Sequence, residues 1–434
     1  MKNPLPQPEN LSAKVLRSVT GPIQNFMHLE TSSGVLLLIV TLIALWWANS
    51  SFSQFYFDLL HLEVGFRIGP FELAKGLQHW VNDGLMVIFF FVVGLEIKRE
   101  LTIGEIASFK KAALPVIAAL GGVILPATIY SFFNAGTEAA SGWAVPMATD
   151  IAFAVGVLTL LGPRIPFALK IFLLALAIID DLIAVIVIAL FYTKEINLES
   201  LFYSIGIIGF IALMNISGVR SRLVYVIFGA LVWLAVLKSG VHATIAGVAL
   251  GLLCPIAALV PREELRKMAS KLSADLNDSN ASERIEEMRL ILKEAQSPLD
   301  QLVRTLHLWV AFLIMPLFAL FNAGVPFSLS DIPQLFSNPV GLGIVLGLVV
   351  GKSVGITLFA YLSTVLKWAE LPRGVTWMHV LGVAFVAGIG FTMALFIGNL
   401  SFSNEALLNT AKLAILMGSL ISAIIGSAIL LKVK

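Results

Sequence analysis

Long apolar runs, separated by short polar breaks, recur along the whole chain. Each run is close to the roughly 20 residues that a helix needs to cross a bilayer, and none shows the alternation that is typical of a membrane β-barrel strand. Because a single span in lipid must satisfy its own backbone hydrogen bonds, the pattern predicts α-helices. The predicted spans cover residues 33–49, 78–98, 113–134, 142–161, 167–192, 201–217, 222–237, 240–256, 299–322, 341–364, 379–400 and 409–431.

The predicted fold is therefore an all-α integral membrane protein with about twelve transmembrane helices. It divides into a cytoplasmic N-terminal segment at residues 1–32 and a transmembrane domain at residues 33–431. Of its 434 residues, 58% are hydrophobic and only 13% are charged, which is far less charge than a soluble protein keeps on its surface. The expected surroundings are the lipid bilayer, and a net charge of +2 gives no sign of a nucleic-acid partner.

The distribution of Lys and Arg predicts the orientation. When the N-terminus is placed inside, most of the 29 basic residues fall on the cytoplasmic side of the membrane. The few that fall outside are Arg67, Lys75, Lys194, Lys238 and Lys412. Both termini are therefore expected in the cytoplasm.

Two segments outside the predicted spans carry further information. Residues 62–73 alternate apolar and polar side chains around Gly69-Pro70, which predicts a small external β-hairpin between the first two spans, with an ordinary loop as the alternative. A charged connector at about 261–297 has a helical pattern, and we interpret it as a solvated cytoplasmic link. Ser297 and Pro298 are typical of an N-cap and first helical position, and they open the ninth span.

Two adjacent aspartates, Asp180 and Asp181, lie near the middle of a long apolar span. A carboxylate at that depth costs roughly 2.5 to 3.5 kcal/mol on insertion scales, so a pair indicates ion or proton handling. The two side chains point about 100° apart around a helix and can border one cavity. Such a pair can exchange a proton for a hard cation, which requires deprotonated oxygen ligands. The alternative is a pair of buried aspartates that neighbouring hydroxyls satisfy.

Two apolar segments carry helix-breaking residues. One contains Pro146, Thr149 and Asp150, and the other is the glycine-interrupted segment 387–392. Paired interruptions in the two halves of a transporter point to its binding site. Opposed half-helices leave positive N-terminal and negative C-terminal ends inside the membrane, which Asp150 and Lys352 respectively could offset. The alternative is kinks that serve packing alone.

Lys352 is the basic residue that lies deep inside a predicted span, so a carboxylate partner is expected, and Asp180 or Asp181 is the candidate. Glycines at four-residue spacing surround it and predict a ridge that permits close helix contact. They are Gly343, Gly347, Gly351 and Gly355.

Other titratable residues are candidates for a pH response. Glu96, Arg99 and Glu100 end the second span on the cytoplasmic side, where charges usually extend to the interface. His242 and His307 can titrate near neutral pH, although a single histidine of this kind is more often structural.

Several strings of residues together resemble the NhaA family of bacterial sodium/proton antiporters, itself a standard example of an inverted-repeat transporter. The resemblance covers nearly the whole chain. The strings are VGLEIKREL (93–101), ATDIAF (148–153), LKIF (169–172), AIIDDL (177–182), LKSGVHAT (237–244) and GIGFTM (388–393).

The resemblance implies twelve helices in inverted-topology repeats, with the fourth and eleventh interrupted and crossing near the cation site. It implies that Asp181 is the principal Na⁺ ligand, that Asp180 takes part in proton exchange and pairs with Lys352, and that Thr149 and Asp150 support the site. It also implies electrogenic exchange of Na⁺ or Li⁺ for H⁺ in the inner membrane, without a further cofactor.

The resemblance further implies a homodimer formed through the external hairpin and activation at alkaline pH through Glu96, Arg99 and Glu100. This chain departs from the family pattern at Val303 and Arg304, where acidic and histidine residues are usual. The connector is also longer, and Ala394 replaces a hydroxyl residue. These departures bear on the pH set point rather than on the exchange chemistry.

Two other classes of function compete with exchange. A cation channel would need a selectivity loop or a ring of carbonyls, and the sequence indicates neither. An intramembrane aspartyl protease could use Asp150 and Asp180, which lie on different spans and could share a proton. The absence of a Gly-x-Gly-Asp segment, the buried Lys352 and the acidic doublet count against a protease.

Overall fold

A computed structural model of the protein describes residues 32–68, 71–193, 196–219, 222–256, 297–328 and 330–433. The predicted N-terminal segment and the predicted connector at 261–297 lie outside these ranges, apart from Ser32 and Ser297 at their ends.

The described chain is almost entirely helical. Its α-helices are α1 (Ser32–Ala48), α2 (Ser53–His61), α3 (Leu77–Ile103), α4 (Phe109–Asn134), α5 (Ile151–Leu160), α6 (Phe167–Phe191), α7 (Leu198–Ile216), α8 (Arg222–Lys238), α9 (Thr244–Leu253), α10 (Pro298–Asn322), α11 (Asp331–Ser337), α12 (Pro339–Val365), α13 (Trp377–Ala387), α14 (Phe391–Ser401) and α15 (Glu405–Lys432). A 3₁₀ segment, Glu138–Met147, precedes α5. Short π-helical stretches lie within α3, α10 and α12, at Trp80–Leu85, Val310–Ile314 and Gly347–Gly351.

Eight helical segments of the described chain are long and apolar enough to cross a membrane, and the number rises to ten when each of two bent helix pairs is counted as one span. The two remaining predicted spans, at 222–237 and 240–256, correspond to the shorter apolar helices α8 and α9. The chain is therefore a helical, multi-pass membrane protein. The count of twelve crossings stays a prediction.

The predicted hairpin is present. Strands β1 (Glu63–Ile68) and β2 (Phe71–Gly76) pair antiparallel, from Ile68 with Phe71 at the tip to Glu63 with Gly76 at the base. The indole Nε1 of Trp80 donates a hydrogen bond to the Val64 carbonyl at 2.7 Å, so the first turns of α3 anchor β1.

The predicted start of the ninth span is also confirmed. Ser297 is the N-cap of α10, and its side chain accepts a hydrogen bond from the backbone N–H of Asp300 at 3.4 Å. Pro298 occupies the first helical position, where its missing N–H costs nothing.

Contacts divide the chain into two compact units. Among the described residues, the first unit contains those from Ser32 to Phe52, from Leu114 to Ala177 and from Asn322 to Val433, and the second contains those from Ser53 to Ala113 and from Ile178 to Phe321. The boundary falls within α6, just before the aspartate doublet.

In the first unit, the glycine ridge of α12 packs against α4 and the 3₁₀ segment, as its spacing predicted. A methyl group added at Gly355 would lie 2.1 Å from the Gly121 carbonyl oxygen, and one at Gly347 would lie 2.6 Å from Cβ of Pro146. At these glycines the backbone of α12 lies so close to its neighbours that any side chain would collide with them. The close contact holds α12 in a defined position beside the first interruption.

In the second unit, glycines bring α3 and α9 together in the same way. A methyl group added at Gly247 would lie 2.3 Å from the Val87 carbonyl oxygen, and one at Gly94 would lie 2.7 Å from that of Val248. This packing determines where the C-terminal half of α3, which carries Glu96, lies within the second unit.

Candidate functional site

The first interruption lies where the sequence predicted it. The 3₁₀ segment ends at Met147, residues 148–150 are not helical, and α5 begins at Ile151. Asp150 is the N-cap of α5, and its Oδ1 accepts a hydrogen bond from the backbone N–H of Phe153 at 3.1 Å. The carboxylate therefore lies at the positive end of a half-helix.

The second interruption lies between Ala387 at the end of α13 and Phe391 at the start of α14, and the two half-helices are bent by 46°. The backbone N–H of Phe391 donates a hydrogen bond to Oγ of Ser419 on α15 at 3.2 Å. A hydroxyl from a neighbouring helix thus satisfies one of the free N–H groups that the break creates.

The two interruptions contact each other within the first unit. The backbone N–H of Asp150 donates to the Ile389 carbonyl at 2.7 Å, and Oγ1 of Thr149 donates to the Ala387 carbonyl at 2.9 Å. Oδ2 of Asp150 accepts hydrogen bonds from the backbone N–H of Thr392, at 3.1 Å, and from its hydroxyl. One carboxylate therefore accepts hydrogen bonds from the first turns of both α5 and α14, and these contacts are consistent with the prediction that Asp150 offsets the positive helix ends.

Lys352 is fully buried, directly after the π-helical stretch of α12. Its Nζ donates a hydrogen bond to the carbonyl of Met147, the last residue of the 3₁₀ segment. This hydrogen bond is consistent with the predicted role of Lys352 at a negative C-terminal end, and the role itself stays a prediction. Its pairing with Asp180 stays a prediction.

Asp180 and Asp181 lie in the middle of α6, and each side chain is only 3% exposed. Within the described part of the chain, no three His, Cys, Asp or Glu side chains are grouped as a metal site. A cation held by the doublet would therefore need further oxygen ligands from hydroxyls, carbonyls or water, which hard cations accept readily.

The charged residues near the C-terminal end of α3 are paired. Nδ1 of His307 on α10 lies 3.8 Å from Oε1 of Glu96, and Nη2 of Arg99 lies 3.8 Å from Oε1 of Glu100. Val303, one of the departures from the family pattern, is buried against Leu95. The structure thus brings two of the predicted pH-response residues, Glu96 and His307, into contact.

His242 belongs to a different cluster. Its Nδ1 lies 2.7 Å from Oγ1 of Thr244, and its Nε2 lies 3.6 Å from Oδ1 of Asp83, whose Oδ2 lies 3.1 Å from Nε2 of His79. Neither Asp83 nor His79 was among the residues predicted from the sequence. The available signal was a carboxylate inside an apolar run, four residues after a histidine.

The fold and the site define a class: a multi-pass helical membrane protein in which two interrupted helices meet through buried polar side chains, as they do in secondary transporters. The family model described as Na⁺/H⁺ antiporter 1 matches residues 24–430. The chain belongs to this family, which confirms the family that the motifs indicated.

Named relatives agree over almost the full length of the chain. The Na(+)/H(+) antiporter NhaA of Wolinella succinogenes is 47% identical over 413 residues, which cover 93% of this chain and 91% of the relative. The Na(+)/H(+) antiporter NhaA 2 of Psychromonas ingrahamii is 43% identical over 429 residues, which cover 96% and 90%. The Na(+)/H(+) antiporter NhaA 2 of Myxococcus xanthus is 45% identical over 413 residues, which cover 93% and 87%.

Proposed function

We propose that the protein is a secondary active transporter, not an enzyme, that extrudes cytoplasmic Na⁺ or Li⁺ in exchange for external H⁺ by alternating access to one mid-membrane site. The observation that carries the proposal is the contact between the two interrupted helices, made through Asp150 and Thr149. This is the construction that transporters use to place helix ends at a substrate ion. The relatives are named as Na⁺/H⁺ antiporters, which supports the same reaction.

In this proposal the polar side chains have unequal roles. Asp181 is the principal cation ligand, and Asp180 pairs with Lys352 and takes part in proton exchange. Asp150 and Thr149 hold the two interruptions together beside the site. Because a cation and protons compete for the same carboxylates, the apparent Na⁺ affinity weakens as the pH falls.

The exchange is proposed to be electrogenic, with more protons entering than sodium ions leaving. Each net charge that crosses gains roughly 2.3 kcal/mol per 100 mV of membrane potential, so an excess of protons lets the potential drive sodium out. A site with several titratable groups, Asp180 and Asp181 among them, suits such a stoichiometry.

Activation at alkaline pH is proposed to act through Glu96, Arg99 and Glu100, with His307 and His242 as further titrating groups. The 3.8 Å approach of His307 to Glu96 supports this role. An imidazole loses its charge as the pH rises through ~6.5, so alkaline pH weakens its attraction to the carboxylate.

The proposed location is the bacterial inner membrane, with both termini in the cytoplasm and the β1–β2 hairpin outside. The hairpin is proposed to join two copies into a homodimer. Cross-linking of purified protein through a cysteine introduced in β1 would test the dimer, and the absence of any cross-linked species would contradict it.

The function is tested in everted membrane vesicles that hold an acid interior. Addition of Na⁺ or Li⁺ should dissipate the pH gradient, more strongly at alkaline than at neutral pH, and K⁺ serves as the comparison cation. A gradient that no alkali cation dissipates at any pH would overturn the proposal. Sodium flux that does not move protons would instead support the channel alternative.

The proposed pairing of Lys352 with Asp180 has a separate test. Thermal stability and the pH profile of exchange should be measured for Lys352→Met, Asp180→Asn and the double variant. A direct pair predicts that the double variant loses less than the two single losses added together. Strictly additive losses would show that the two side chains do not interact.

A further inference from the structure

Ser422 on α15 is a buried hydroxyl without a hydrogen bond. Its side chain is fully buried, and its Oγ has no hydrogen-bond partner among the residues that the structure describes. Ser419, one turn earlier on the same helix, accepts a hydrogen bond from the N–H of Phe391 at the start of α14. Two serines of one helix thus lie near the second interruption, and only one of them is satisfied.

The Ser422 hydroxyl faces the backbone of that interruption. A methyl group added at Gly388, the residue after α13, would lie 2.8 Å from Oγ of Ser422, 2.4 Å from the Leu348 carbonyl oxygen and 2.9 Å from the Phe385 carbonyl oxygen. The hydroxyl and these two carbonyl oxygens therefore face the same point beside Gly388, and a rearrangement of the break could bring either oxygen within reach of the hydroxyl proton.

The register of α15 relates Ser422 to the aspartate doublet. The order of an unbroken helix, an interrupted helix and a second unbroken helix occurs twice, ending once in α6 and once in α15. Lys170 lies in the first turn of α6 and Lys412 near the start of α15, and Asp180 and Ser422 each follow their lysine by ten residues. Counted from these lysines, Ser422 occupies in α15 the position that Asp180 occupies in α6.

An unsatisfied buried hydroxyl is a net cost to the folded state, and alanine of similar size would remove that cost. Groups of this kind are uncommon in native proteins, and a functional role is one of the reasons for which they are kept. The location of Ser422 beside a helix break, at the register position of Asp180, indicates a functional reason for keeping it.

We propose that Ser422 is a positioning residue for ion exchange, the uncharged counterpart of Asp180, whose hydroxyl bonds to a backbone carbonyl at the α13–α14 break in another conformation of the transport cycle. The inference rests on the proposed function. The hydrogen bond of Ser422 forms only during the conformational change. Ser422 therefore affects the turnover rate of the transporter and does not affect its affinity for Na⁺.

The test compares Ser422→Ala with Ser419→Ala in purified protein and in everted vesicles. For Ser422→Ala we expect roughly a fivefold lower maximal exchange rate, the effect of one hydrogen bond made only during turnover, with an unchanged apparent Na⁺ affinity. Its melting temperature should be equal to or higher than that of the parent protein. Ser419→Ala should melt at a lower temperature, because it leaves the N–H of Phe391 unpaired.

Two results would overturn the inference. An unchanged rate in Ser422→Ala, with an equal or higher melting temperature, would make Ser422 a packing residue. A lower melting temperature in Ser422→Ala would show that the hydroxyl already has a partner in the folded state. Ser422→Cys, which keeps a weak donor of similar size, should recover part of the rate, and a rate no better than that of alanine would also count against the proposal.

Failure of the inference is distinct from failure of the proposed function. If the parent protein shows no cation-dependent exchange, the function itself is wrong. If the parent protein exchanges ions and Ser422→Ala matches it, only the role of Ser422 is wrong.

Discussion

Replacement of Asp181 by asparagine is expected to abolish Na⁺-dependent dissipation of the pH gradient in everted vesicles. The amide keeps the shape of the side chain but cannot carry the negative charge that a hard cation requires of its ligand. Loss of an outer-shell partner alone typically costs 10- to 100-fold in metal affinity, so loss of a direct ligand should reduce exchange by roughly two orders of magnitude or more. The measurement is the initial rate at which the pH gradient dissipates, as a function of Na⁺ concentration at alkaline pH.

The matched control for this variant is Asp331→Asn. Asp331 begins the short helix α11 outside the candidate spans, and its Oδ2 accepts a hydrogen bond from the backbone N–H of Ser328 at 2.7 Å. The same change of chemistry there should leave exchange unaltered. Asp181→Asn protein that reaches the membrane and retains the parental Na⁺ dependence would refute the assignment of Asp181 as the cation ligand.

Replacement of Asp150 by alanine is expected to cause a large loss of stability. The carboxylate accepts hydrogen bonds from the backbone N–H groups of Phe153 and Thr392, at the starts of α5 and α14. Alanine would leave the buried N–H of Thr392 and the partly buried N–H of Phe153 without their acceptor. At ~1–3 kcal/mol for the buried donor and less for the other, the free energy of unfolding should fall by about 2 to 4 kcal/mol. Thermal unfolding in detergent measures this loss.

Two further variants serve as controls for the stability of Asp150→Ala. Asp150→Asn retains one acceptor oxygen and should lose less stability than Asp150→Ala. Asn404 caps the exposed start of α15 by accepting a hydrogen bond from the backbone N–H of Ala406, so Asn404→Ala should lose only ~1 kcal/mol. If Asp150→Ala were as stable as Asn404→Ala, Asp150 could not be the shared cap of the two half-helices.

Much of the fold was predictable from local pattern. Helix breaks at Asp150 and after Ala387, the hairpin near residue 65 and the cap at Ser297 all depend on a few consecutive residues whose conformational preferences are strong. The glycine ridge of α12 was predictable because glycine at four-residue spacing leaves a groove on any helix. Helix α9 (Thr244–Leu253), which is shorter than the predicted span 240–256, shows where apolar length alone overestimates the regular helix.

The partners of the polar side chains were less predictable. Thr392 and Asp150 are 242 residues apart in the chain. Nothing in the local sequence of either residue indicates the hydrogen bond between them. The same holds for Ser419 with Phe391, and for His242 with Asp83, because each pair joins two helices whose relative position depends on packing.

By itself, the sequence determined that this chain lies in a membrane, which spans are interrupted, and which charges lie deep enough to require a function. These properties follow from the cost of exposing polar groups to lipid, which acts on each helix separately. Only the tertiary structure decided that Asp150 caps two half-helices, that Lys352 reaches the Met147 carbonyl, and that Ser422 faces Gly388 without a partner. Those outcomes depend on differences of a few tenths of an ångström in the distances between helices that are far apart in the chain. Only the close packing of the folded protein determines such distances.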